Sequence, residues 1–147
     1  MIKTESEYNA AVTRLRQDQE IIAEQVKAMR GLGLTEEQID HASKPTLSFH
    51  EQLKEEVEVY EKMRRGVFEP ISNLEHIGQL LIGLRICLNL SQNDLASKLG
   101  ISQAAVSKDE RNEYHGISVE KAQRIFVAMG VRITLTLDEP VLKAANG

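Results

Sequence analysis

The sequence predicts an all-α chain that ends in one β-strand, and three observations carry that prediction. Ser or Thr recurs just before apolar-periodic runs, often with Glu or Gln three places on, the pattern of a capped helix start. Apolar residues in the first half repeat at alternating intervals of four and three, the helical period. Only Val131 to Asp138 alternates strictly between apolar and polar residues, as a half-buried strand does.

Thr4-Glu5-Ser6-Glu7 is a capping box, and Tyr8, Val12, Leu15, Gln19, Ile22, Val26 and Met29 follow it as a heptad seam with one polar break at Gln19. Gly31 and Gly33 end that helix. Thr35 and Gln38 form a second capping box and open a short helix, expected to stop before Pro45 because proline disfavours helix in the residue ahead of it. Ser48 opens a third helix with Phe49, Leu53, Val57, Tyr60 and Met63 on one face, closed by Gly66. Residues 1–70 are therefore expected to form an N-terminal helical hairpin, an interaction module whose apolar seams need each other or a partner. Val67 to Pro70 reads as a linker.

Residues 71–147 read as a second unit. Ser72-Asn73-Leu74-Glu75 is taken as a capping box for a helix through Ile77, Leu80, Leu81, Leu84 and Leu88. Ser91 caps a helix to Leu99, Ser102 one to about Arg111, and Ser118 one to Met129, ended by Gly130. The strand places Val131, Ile133, Leu135 and Leu137 on one face. With no second strand in the sequence, it is expected to pair with its own copy across a homodimer.

Composition excludes several classes of function. With 41% hydrophobic and 27% charged residues the chain reads as an ordinary globular protein, its core built from aliphatic side chains because it holds three Tyr, three Phe and no Trp. One cysteine, Cys87, forbids an intrachain disulfide and suits a reducing compartment; it is read as a small core residue. No apolar stretch is long enough for a membrane and "MIKTESEY" is no signal peptide, so a cytoplasmic location is expected. His41, His50, His76 and His115 lack metal-ligand spacing and are read as surface residues, so no metal or cofactor is expected. No phosphate-cradling glycine loop, nucleophile–base pair or paired carboxylates support an enzyme. Residues 1–70 carry ten Lys and Arg against fourteen Asp and Glu, net −4, while residues 71–147 carry eight of each. A nucleic-acid surface must therefore be a local patch in the second half.

The sharpest signal is "LSQNDLASKLGISQAAVSKDERN", Leu90 to Asn112. Leu95, Ala96, Leu99, Ile101 and Val106 are apolar or small where two short helices crossing steeply would touch, and Gly100 permits the left-handed turn between them. These requirements define a helix-turn-helix, whose second helix enters the major groove of double-stranded DNA. "RICLNLSQNDLASKLGISQAAVSKDER" resembles the Cro/repressor (XRE) class of helix-turn-helix regulators, from about Ile77 to Gly130.

The resemblance implies that Gln92 contacts a phosphate and that Gln103, Ala104, Ser107 and Lys108 face the groove, beside the cap residue Ser102. It also implies a buried structural pair between Arg85 and Glu110. Gln suits adenine, Ala a thymine methyl and Lys guanine or phosphate, while Arg111, Asn112 and Tyr114 suit backbone contacts. Asp109 departs from the family pattern, which has an apolar or aromatic residue there; with Glu110 and Glu113 it brings carboxylates towards the phosphates. The terminal strand, with "MIKTESEY" and "YEKMRRG", is similar to HipB- and HigA-type antitoxins. That likeness implies a repressor of its own toxin–antitoxin operon, with a toxin as partner. A stand-alone or phage-type repressor, and a protein-binding module that has lost DNA binding, are the alternatives.

Overall fold

A computed structural model describes residues 1–138. Its order is α1 (Glu5–Gly31), α2 (Glu36–Arg64), a 3-10 turn (Leu74–His76), α3 (Ile77–Cys87), α4 (Gln92–Leu99), α5 (Gln103–Arg111) and α6 (Val119–Ala128). The capping boxes at Thr4, Thr35 and Ser91 form with both reciprocal bonds, and Ser102 and Ser118 each accept from the amide three residues on.

α1 and α2 make the hairpin. Tyr8 stacks on Tyr60 with ring centroids 4.9 Å apart, and its hydroxyl donates to Glu61 Oε1 at 2.8 Å. At the other end Arg30 grips Glu36 with two hydrogen bonds, of 2.8 and 3.1 Å, across the turn.

α2 differs from the expected pair of helices, because it runs unbroken through Pro45. The missing amide frees the His41 carbonyl, and the turn from His41 to Pro45 is largely exposed, so solvent satisfies what the proline removes. Ile39, Ser43, Thr46, His50, Leu53, Val57 and Tyr60 fall at a regular four-three repeat along α2, and all but the exposed Thr46 are buried or half-buried. Phe49 consequently points outward at 73% exposure, and His50 takes the inward place expected for it. His50 is thus buried and not a surface residue, and its Nδ1 has no hydrogen-bond partner. His41, His76 and His115 are exposed.

The hairpin does not end at its own core. Ile2, Ala11, Val57 and Tyr60 join one apolar cluster with Leu81, Ile82, Leu95, Val106, Ile125 and Phe126. Phe68 in the connecting segment lies over Gly83, where a Cβ would come within 2.7 Å of its ring. Cys87 is half-buried, with its Sγ against Gly66. Ser72 caps no helix; Asn73 accepts from the Glu75 amide at 2.9 Å and starts the 3-10 turn instead.

The expected strand does not form: residues 131–138 have no regular structure, and the described residues contain no strand. A ladder needs a second row of donors and acceptors, which the described residues of this chain do not supply. Val131 packs against the core, whereas Leu135 and Leu137 are exposed. None of the described helices is long and apolar enough to cross a membrane.

Candidate nucleic-acid interface

The site is built by α4, the turn after it and α5. Gly100 adopts φ +68°, and the Ile101 amide returns to the Ala96 carbonyl at 3.0 Å, which ends α4 and swings the chain sharply into α5. Leu95, Ala96 and Val106 are essentially buried where the two helices meet, and α6 covers them through Ile125 and Phe126. Ile101 remains 41% exposed at the turn, further out than its apolar character suggests.

Beneath the helices lies one buried ion pair. Arg85 on α3 and Glu110 on α5 meet through two parallel N–H···O bonds, the Nη2–Oε2 one 2.8 Å long, with both side chains almost wholly out of solvent. Two of the three remaining guanidinium hydrogens go to the Leu90 and Lys3 carbonyls, each at 2.8 Å. Arg85 therefore ties the start of the chain, the α3–α4 turn and α5 to one point. Such a pair is stable only when its donors and acceptors find partners, and four of the five guanidinium hydrogens do so here.

A chain of polar contacts leads from that pair to the surface. Gln92 Nε2 donates to Glu110 Oε2 at 2.8 Å, and Gln103 Nε2 donates to Gln92 Oε1 at 3.0 Å. Gln92 is half-buried and hydrogen-bonded at both ends of its amide, so it positions Gln103 while keeping one Nε2 hydrogen for the phosphate contact expected of it. Gln103 is exposed at the first turn of α5. Its second Nε2 hydrogen and its Oε1 stay available, the one donor and one acceptor that adenine presents a match for.

Around Gln103, Ser102 caps α5, Ala104 and Lys108 are exposed, and Ser107 is half-buried. Arg111 and Asn112 are exposed where α5 ends. Tyr114 corrects the expectation of a surface donor, because it is only 5% exposed. Glu113 and Tyr114 take φ of +50° and +53° in succession, and that tight turn folds the tyrosine ring into the core. Burial, with Glu110 and Asp109 nearby, pushes the Tyr114 phenol well above its ordinary pKa.

The departure at Asp109 is resolved by α6. Lys121 Nζ lies 2.7 Å from Asp109 Oδ2, so this carboxylate is paired with a cation within the protein. Lys121 carries no obvious motif in the sequence, and only the close approach of α5 and α6 reveals its role. Glu113 accepts a long hydrogen bond from Gln79 at 3.4 Å. Among the described residues no cluster of His, Cys, Asp and Glu is arranged to hold a metal.

Comparison with known proteins agrees with this geometry. Residues 84–135, about a third of the chain, match a family model described as helix-turn-helix. No curated protein and no solved structure matches the chain. Over residues 84–135 the chain is similar to the XRE class of helix-turn-helix proteins, and this domain supports a DNA-binding transcription regulator.

Proposed function

We propose that the protein is a sequence-specific, dimeric transcriptional repressor that reads operator DNA with α5. The observation that carries this reading is the exposed start of α5, locked from beneath by Arg85, Glu110 and Gln92. Gln103 and Ala104 would meet base edges, Ser102, Ser107 and Lys108 would line the groove, and Arg111 and Asn112 would fix the register on phosphates. In a two-fold dimer the two copies of α5 would read half-sites about one helical turn, ~34 Å, apart.

Pairing of Val131, Ile133, Leu135 and Leu137 with their copies is the proposed dimer contact. It is supported by Leu135 and Leu137, 76% and 74% exposed, and by the apolar groove that Ile133 and Leu135 share with Phe126, Ile117 and Leu74. Removing residues 131–147 should then convert dimer to monomer in sedimentation equilibrium and weaken operator binding; a truncated chain that stays a tight dimer refutes the strand pairing.

The finer biological setting we propose is an antitoxin that represses its own operon, with the toxin held by another surface. It rests on the sequence resemblance of "MIKTESEY", "YEKMRRG" and the alternating terminal segment to such antitoxins alone. A stand-alone repressor is the second reading, favoured by the core that the hairpin shares with the DNA-binding helices. Co-purification with the product of an adjacent gene separates the two.

Fluorescence anisotropy on the duplex upstream of its own gene, against a scrambled duplex, tests DNA reading directly. Specific binding that weakens from low to physiological salt is expected. Flat titrations on both duplexes would instead favour a protein-binding module.

A further inference from the structure

The hairpin and the helix-turn-helix share a cleft of ≈ 600 Å³ that opens beside Gln92 and Gln103. Its other wall comes from the start of the chain and the end of α2, including Lys3, Tyr60 and Arg64. We infer that the hairpin makes its own contact with DNA: Lys3 and Arg64 hold the phosphate backbone that passes this cleft while α5 lies in the groove. This inference rests on the DNA-binding reading proposed above.

Two observations favour a polyanion there. First, neither Lys3 nor Arg64 has a carboxylate partner among the described residues, although fourteen acids populate residues 1–70. Second, Arg64 is oriented without being neutralised. Its guanidinium carbon lies 5.9 Å from the Tyr8 ring centroid, while Glu61 accepts from the Tyr8 hydroxyl and forms no ion pair with Arg64. Against a phosphate stands Asp94 on α4, which is exposed in the cleft lining and held in its charged form. Asp94 accepts from the Ser91 amide and hydroxyl at 2.8 and 2.7 Å, which holds its pKa below the usual carboxylate value. Glu5 is the remaining carboxylate in the lining, and it opposes a phosphate. A cation fixed in place and lacking a counter-ion releases bound salt ions from DNA when it meets a phosphate, so such contacts are read in the salt dependence of affinity.

The test uses a random-sequence duplex, so no operator need be known. The double variant Lys3→Gln with Arg64→Gln should lower the slope of log K against log salt by about 1.8, at about 0.9 per phosphate contact on duplex DNA. Arg64→Lys keeps the charge and should retain most of the slope. Glu5→Gln should tighten binding several-fold at low salt. The double variant should lose affinity equally on all sequences and leave the base preference of the wild type unchanged.

An unchanged slope in the double variant, with wild-type binding intact and sensitive to Gln103, overturns the hairpin contact alone. A wild type that binds no duplex overturns the contact together with the DNA-binding reading. Loss of slope in Arg64→Lys as well as Arg64→Gln would mean that the packing on Tyr8, not the charge, matters, and would likewise overturn the phosphate contact.

Discussion

Glu110→Ala is expected to lower stability by about 3–5 kcal/mol, because it strands the Arg85 guanidinium in the core without its counter-ion. Arg85 is 3% exposed and Glu110 is fully buried, so water cannot take over the lost bonds. Gln92 loses its acceptor in the same step, and through it Gln103 loses its tether. A double variant, Arg85→Met with Glu110→Leu, should recover part of the loss, since an apolar pair of similar volume removes the stranded charge. Recovery should be incomplete, because the Lys3 and Leu90 carbonyls still lose the donors that Arg85 gave them. Urea denaturation of the three proteins measures both effects. A loss below about 1 kcal/mol for Glu110→Ala would show that the pair is not the keystone of α5.

Gly78→Ala should be comparably damaging, with a loss of about 3 kcal/mol or a failure to fold. A Cβ at Gly78 would lie 1.8 Å from the Glu113 carbonyl oxygen and 2.7 Å from its carbon, and backbone cannot move aside cheaply. The loop it strikes already holds two non-glycine residues at positive φ, so it has few alternative conformations. Gly83→Ala provides the comparison. Its nearest obstacle is the edge of the Phe68 ring at 2.7 Å, a side chain that can shift, and its loss should be clearly smaller. Thermal unfolding of the two variants decides the order, and equal losses would place the close contact of α3 elsewhere.

How much of this was legible in the sequence depended on the range of the interaction. Helix starts at Thr4, Thr35, Ser91, Ser102 and Ser118 are local, settled by a side chain and an amide three residues away, and they read correctly. Gly100 is equally local, since its left-handed turn is written in the residue itself.

Continuity through Pro45 was not legible. The inner face of α2 is polar at Ser43 and His50, so apolar spacing pointed to Phe49 instead. Tyr114 was misplaced because its direction depends on two successive positive φ angles that no composition rule demands. The Asp109–Lys121 pair and the grip of Arg85 on the Lys3 carbonyl, 82 residues away, exist only once helices distant in sequence are packed together. The described residues of the single chain form no strand for a related reason: alternation describes a face, but a strand also needs a neighbour.

The most direct measurement of whether Gln103 reads bases is selection from a random-sequence duplex pool with the wild type and with Gln103→Ala. Enrichment of a two-fold symmetric sequence by the wild type, and loss of preference at one base pair per half-site in the variant, with affinity for the selected site down by about 1–3 kcal/mol, is the expected result. Identical enriched sequences from both proteins, or none from the wild type, would contradict the assignment of α5 as the reading helix.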